Sequence, residues 1–175
     1  MTKWKIDPTH SEVQFKVKHL MITTITGYFT SYDLRVETEN NDFTKATKIN
    51  FTADVNSIST NNEQRDGHLK SADFFDAAHH KEIVFKGNKL EKSVDDYQLL
   101  GELTIKGITR PFNAKVEYGG IVVDPYNQTK AGFSVTGKIS RKEFGLTWDA
   151  VTEAGSVVVG DDIKFSAEVQ LIKEA

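Results

Sequence analysis

Arg65, Asp66 and His68 fall within four positions of one another in the stretch NNEQRDGHLKSADFF, residues 61–75. A guanidinium, a carboxylate and an imidazole this close together form a candidate acid–base or head-group site. The same spacing also suits a solvated helix face, where an ion pair contributes only ~0.2–0.5 kcal/mol. His19 is the second polar candidate. It follows Val13, Phe15 and Val17 at every second position, so a strand would turn all four to one face. It reads either as a core histidine bonded to a neighbour or as a polar contact inside a cavity, because ligand sites are mostly apolar with a few orienting groups. The remaining histidines offer no metal site. His79 and His80 are adjacent and point opposite ways in an extended chain, while His10, His19 and His68 lack a short ligand spacing. The chain has no cysteine, which excludes disulfides, thiolate metal sites and thiol nucleophiles, and it contains no G-x-S-x-G, P-loop, G-x-G-x-x-G or H-E-x-x-H sequence. No catalytic residue, cofactor or metal is expected.

The elements that must position these residues are strands. SEVQFKVKHL alternates apolar and polar residues over ten positions, and so do KINFTADV, YQLLGELTI, PFNAKVEY, KAGFSVTGKI and DIKFSAEVQL. With GYFTSYDLRVE and EIVFKGNKLE the count reaches eight, separated by turn chemistry such as KGITRP, DPYNQ and VGDD. Long antiparallel strands with one apolar face must cover that face and hide their edges. Closing eight of them into a barrel does both and leaves an interior that side chains fill or that holds one small ligand. A two-sheet sandwich is the competing architecture. The fold class is therefore all-β, an eight-stranded antiparallel barrel with one short helical insertion between strands 3 and 4. Thr60 with Glu63 predicts a capping box at the start of that helix, and Ser71 with Asp73 predicts a second, shorter start before Phe74 and Phe75.

At 175 residues a single domain spanning 1–175 is expected. The net charge of −3 and the scattered lysines argue against nucleic acid as a partner. No apolar run is long enough to span a membrane, and no leader-like apolar segment stands at the N-terminus, so a cytoplasmic location is expected.

Strand parity predicts the interior: Phe15, Val17, Phe51, Leu103, Ala114, Ala131, Phe133, Gly137 and Phe165, with His19 the one clearly polar member and Phe29 in the GYF turn region. Gly101 and Gly137 leave room. A cavity with such walls takes a long apolar ligand, since each buried methylene contributes about 0.8 kcal/mol. The helix between two strands suits a lid, with Leu69, Phe74 and Phe75 to bury. The alternative is that these side chains simply fill the barrel.

Taken together, WKIDPTHSEVQFKVKHLM, GYF, SISTNNEQRDGHLKSADFFD, GELTIKGITRPF, AGFSVTGKISRKEFGL and VGDDIKFSAEVQL resemble the YceI-like family of bacterial polyisoprenoid-binding proteins. The resemblance implies a lipocalin-like barrel whose tunnel takes the chain of a quinone or polyprenyl compound, and it implies a homodimer. RDGHLKSADFF corresponds to the family's R-D-x-H-L-x-S-x-x-F-F segment, which carries over Arg65, Asp66, His68, Leu69, Ser71, Phe74 and Phe75, and HSEVQFKVKHL carries over His10, Ser11, Phe15 and His19. The chain departs from many relatives in having no proline in HHKEIVF. Binding of an isoprenoid lipid as a carrier, store or sensor is the first functional expectation. An enzyme using Asp66, His68 or His19 as acid or base on a bound apolar substrate is the second.

Overall fold

Alternating residues become one continuous antiparallel sheet in the computed structural model, which describes residues 1–150 and 158–175. The strands are β1 (Thr2–Ile6), β2 (Glu12–His19), β3 (Thr23–Phe29), β4 (Tyr32–Glu39), β5 (Asp42–Asp54), β6 (Ile58–Ser59), β7 (Glu82–Lys92), β8 (Tyr97–Ile105), β9 (Ile108–Val123), β10 (Thr129–Ser140) and β11 (Asp162–Lys173), with helix α1 (Glu63–Lys70) between β6 and β7. β11 pairs with β10 along its length, with β2 through Lys164–Glu168, and with β1 through Leu171–Lys173. β1 and β2 therefore act as one interrupted strand. β3 and β4 form another, since β3 pairs with β2 and β4 with β1. Counted this way, eight runs of chain close the barrel, and the helix lies between the third and the fourth.

The interruptions were not evident from alternation. Pro8 lacks an amide hydrogen and starts a short 3-10 turn over Pro8–His10, whose cap is the Asp7 carboxylate accepting from Thr9 N at 3.1 Å and Thr9 Oγ1 at 2.6 Å. Ser11 then rejoins the sheet, its hydroxyl accepting from Gln170 N at 3.0 Å. GYFTSYDLRVE, expected as one strand, breaks at Thr30–Ser31 because its two halves pair with different neighbours.

One end of the barrel is plugged. Trp4, Phe43, Tyr118 and Phe133 stack there with centroids 4.9–5.8 Å apart. The fully buried Trp4 satisfies its indole N–H by donating to Thr38 Oγ1 at 3.1 Å.

At the other end the helix begins differently from expectation. Its cap is Asn62, whose side chain accepts from Arg65 N at 2.9 Å, and Thr60 is engaged elsewhere. Ser71 ends the helix and starts no second one: its amide and hydroxyl both donate to His68 O, at 3.1 and 2.6 Å. The turns that follow, with Phe75 N on Leu69 O at 3.0 Å, carry Phe74 and Phe75 over the barrel end.

Candidate functional site

Between plug and helix the barrel encloses a cavity of about 260 Å³. Phe15 and Val17 come from β2, Phe29 from β3, Phe51 from β5, Leu103 from β8, Phe112 from β9 and Phe165 from β11, while Leu69, Phe74 and Phe75 close it from the helical segment. Among the described residues only Gln14 and Arg141 bring polar side chains to the lining. Both are already engaged. Gln14 Nε2 donates to Ser166 Oγ at 2.9 Å. Arg141, 2% exposed, donates to the carbonyls of Gly160, Leu146, Trp148 and Val159 at 2.5–3.1 Å and reaches Asp149 Oδ2 at 3.5 Å. A buried guanidinium is tolerable because every N–H finds an acceptor and one acceptor is charged. Burial alone would raise the Asp149 carboxyl, but backbone donors of Ala150 and Val159 and the Arg141 charge outweigh it and hold it below the ordinary carboxylate value.

The cavity exists because its aromatic walls lie flat. A β-carbon built at Gly27 would overlap the Phe15 ring directly across the strand pair, and one at Gly137 would overlap the Phe165 ring. Phe85 lies over Gly101 in the same way. Each ring occupies the space its glycine partner leaves empty, so it covers wall and not lumen.

Of the predicted residues, Phe15, Val17, Phe29, Phe51, Leu69, Phe74, Phe75, Leu103 and Phe165 come together around this cavity. The others do not. His19 is exposed at the end of β2, paired with Thr23 on one side and Val159 on the other, and its inward parity does not bring it to the lumen. Ala114 and Ala131 are buried in packed core away from the lumen, Phe133 belongs to the plug, and Gly137 makes room for a ring and not for a ligand. Arg65 and Asp66 both grip Thr60. Arg65 donates to Thr60 Oγ1 at 2.7 Å and to its carbonyl at 2.8 Å, while Asp66 Oδ1 accepts from Thr60 N and Oγ1 at 2.8 and 2.6 Å. His68 pairs with Asp73 at 2.9 Å outside the lumen, its ring edge-on to Phe74 and Trp148. His10 bonds Asp7 at 2.9 Å in the strand interruption. Phe85, Phe112 and Val135 were legible as further wall by parity, whereas no pattern marked Arg141 or Leu146.

Comparison with known proteins gives one consistent result. The YceI-like domain matches residues 4–171 of the chain. A UPF0312 protein of Staphylococcus epidermidis is 37% identical over 171 residues, 97% of each chain. A solved YCEI protein of Campylobacter jejuni is similar with a TM-score of 0.75 and 31% identity over 90% of both chains. A polyisoprenoid binding domain from Saccharophagus degradans shares the fold, with a TM-score of 0.74 over 98% of both chains at 13% identity.

Proposed function

The chain belongs to the YceI-like family, and from that premise we propose that its barrel binds the hydrocarbon chain of an isoprenoid lipid, a polyprenyl compound or quinone tail, as a carrier, store or sensor. The observation that carries this reading is the lumen: an apolar cavity whose two polar lining residues, among the described residues, already have hydrogen-bond partners. Such a wall offers a ligand burial and little else. A domain of the same fold is named for binding polyisoprenoids, which supports the choice of ligand class.

The volume bears on chain length. An engineered dry cavity of about 150 Å³ holds benzene, so about 260 Å³ takes roughly ten carbons, or two isoprene units. A longer tail must lift the Phe74–Phe75 segment or pass out beside it. The protein acts as a binder and not as an enzyme in this reading, because Asp66, His68 and His19 all lie outside the lumen where a bound chain would sit. Pairing into homodimers belongs to the same proposal, and sedimentation equilibrium reads it.

Organic extraction of the purified protein with native mass spectrometry before and after tests the function. A bound apolar lipid, recovered unchanged, is the expected result. Failure to carry lipid and to bind an added fluorescent hydrocarbon would overturn the proposal, and recovery of a chemically altered ligand would favour the enzyme.

A further inference from the structure

The turn that closes the β2–β3 hairpin, His19–Ile22, holds Leu20 at φ 52° and Met21 at φ 59°, with Ile22 N donating to His19 O at 3.1 Å. Turns with two central residues at positive φ favour Asn and Gly, because a β-carbon is crowded there. This turn carries two long apolar side chains instead. Met21 and the following Ile22 stand 54% and 76% exposed. Backbone strain and exposed hydrophobic surface thus coincide at one tip, a combination that folding alone disfavours. The tip also adjoins the rim of the cavity: His19 bridges to the lining residue Val159, and Leu20 N donates to Val158 O at 2.8 Å.

The half of β2 nearest this tip, residues 15–19, carries Lys16 and Lys18 and no carboxylate. Lys138 stands directly opposite Lys164, and Lys164 directly opposite Lys16, in one outward row across β10, β11 and β2. Lys18 continues the row's sign toward the tip, and all four are exposed. Like charges directly opposed weaken a sheet. Among the described residues the outer groove over this row is lined by Lys16, Lys115, Lys138 and Lys164 and by no acidic side chain. Lys115 bonds Asp96 and Glu117 at 3.2 and 3.6 Å, and Lys138 reaches Asp162 at 3.6 Å. Among the described residues Lys16, Lys18 and Lys164 have no such partner. In a chain of net charge −3 this local excess is a matter of placement and not of composition.

We propose that the Leu20–Ile22 tip and the Lys16–Lys164–Lys138 row dock the barrel on an anionic bilayer. Met21 and Ile22 enter the acyl boundary, the lysines lie among the phosphates, and the cavity rim faces the membrane. The proposal rests on the chain-binding reading, since an isoprenoid ligand must be drawn from a bilayer and returned to one. An extended polyanion such as nucleic acid would match the lysines but would leave the apolar tip without a role.

Co-sedimentation with vesicles tests it, comparing phosphatidylcholine alone with phosphatidylcholine containing phosphatidylglycerol. The protein should bind the anionic vesicles, release them at high salt, and ignore the neutral ones. Each lysine near such a surface contributes roughly fivefold in affinity, so Lys16→Gln with Lys164→Gln should weaken binding about twenty-fivefold. Leu20→Asn with Met21→Gly suits the turn better, so it should raise the melting temperature while weakening vesicle binding. Binding of a soluble fluorescent hydrocarbon, measured without vesicles, should be unchanged in both variants, and loss of that binding in the unaltered protein would count against the chain-binding reading alone. Equal binding to neutral vesicles, unchanged binding by the lysine variant, or equally tight binding to duplex DNA would overturn the docking surface.

Discussion

Phe165 lies flat against the barrel wall only because Gly137, its cross-strand partner, has no β-carbon, and Phe15 depends on Gly27 in the same way. Gly137→Ala should therefore push the Phe165 ring off the wall and into the lumen. The cost is about 1–3 kcal/mol of stability, as for other overpacked cores, together with loss of hydrocarbon binding. Adding Phe165→Leu should restore much of both, because the shorter side chain no longer needs the vacated space. Calorimetry and a fluorescent-chain titration on the single and double variants check this, and strictly additive losses would show that the two residues are independent. Parity made Gly137 legible as small and inward-facing, but the direction in which a cross-strand ring lies down is not written in a period of two. His19 fails for a related reason. Parity assigns a face, and the height of the residue along the barrel decides whether that face is covered. Arg141 could not be found at all, since one cation among 22 Lys and Arg becomes distinctive only when the carbonyls of Leu146, Trp148, Val159 and Gly160 converge on it.

Helix α1 rests Leu69 on the cavity and has its polar anchor at Thr60. It has no buried residue of its own, and Arg65 and Asp66 tie it to the buried Thr60 that follows β6. Asp66→Ala leaves the Thr60 amide and hydroxyl without their acceptor and should cost about 1–3 kcal/mol. His68→Ala removes a pair whose side chains are 40% and 53% exposed, so its ionic part is worth only ~0–1 kcal/mol. Melting curves for the two variants should separate accordingly. With both, a lipid with a head group and a bare hydrocarbon should lose affinity in parallel, because neither residue reaches the lumen. Selective loss of the headed lipid would assign Asp66 or His68 to ligand contact. The helix was legible from its capping chemistry, yet its cap is Asn62 and not the expected Thr60. Two capping residue types stood two positions apart, and the Thr60 hydroxyl turned out to serve Asp66 and Arg65. Eight alternating runs were legible because a closed barrel keeps one face dry along its whole circumference. The breaks at 7–11 and 30–31 were not, because they record an exchange of strand neighbours, which is a long-range event.

Asp7, between β1 and β2, ties distant parts of the barrel together. Its carboxylate accepts from Thr9, His10 and Lys130, and Lys130 also meets Asp124 at 3.3 Å, joining the N-terminal interruption to the turn before β10. Burial alone would raise the Asp7 carboxyl, but these hydrogen bonds outweigh it and hold the group well below the ordinary value. A depressed carboxylate stabilises the fold above its unfolded-state value and loses that contribution as pH falls. The melting gap between the unaltered protein and Asp7→Asn should therefore be full near neutrality and should close progressively below about pH 4.

The size of the lumen sets the last expectation for the molecule as a whole. Each buried methylene contributes about 0.8 kcal/mol, so affinity should climb steeply along a series of prenyl chains while carbons enter existing space. About 260 Å³ is filled by roughly ten carbons. Beyond that length each further isoprene unit must displace the packed Phe74–Phe75 segment or remain at the rim, and either course offsets most of its burial. Titration of prenyl alcohols of increasing length should show a sharp break in slope after the second isoprene unit. The break should move to longer chains in Phe75→Ala, which deepens the lumen at its helical end. A slope that continues unbroken to long polyprenyl chains would mean that the interior opens far more readily than its packing implies, and the plug of Trp4, Phe43 and Phe133 would then be the place to look for the extra room.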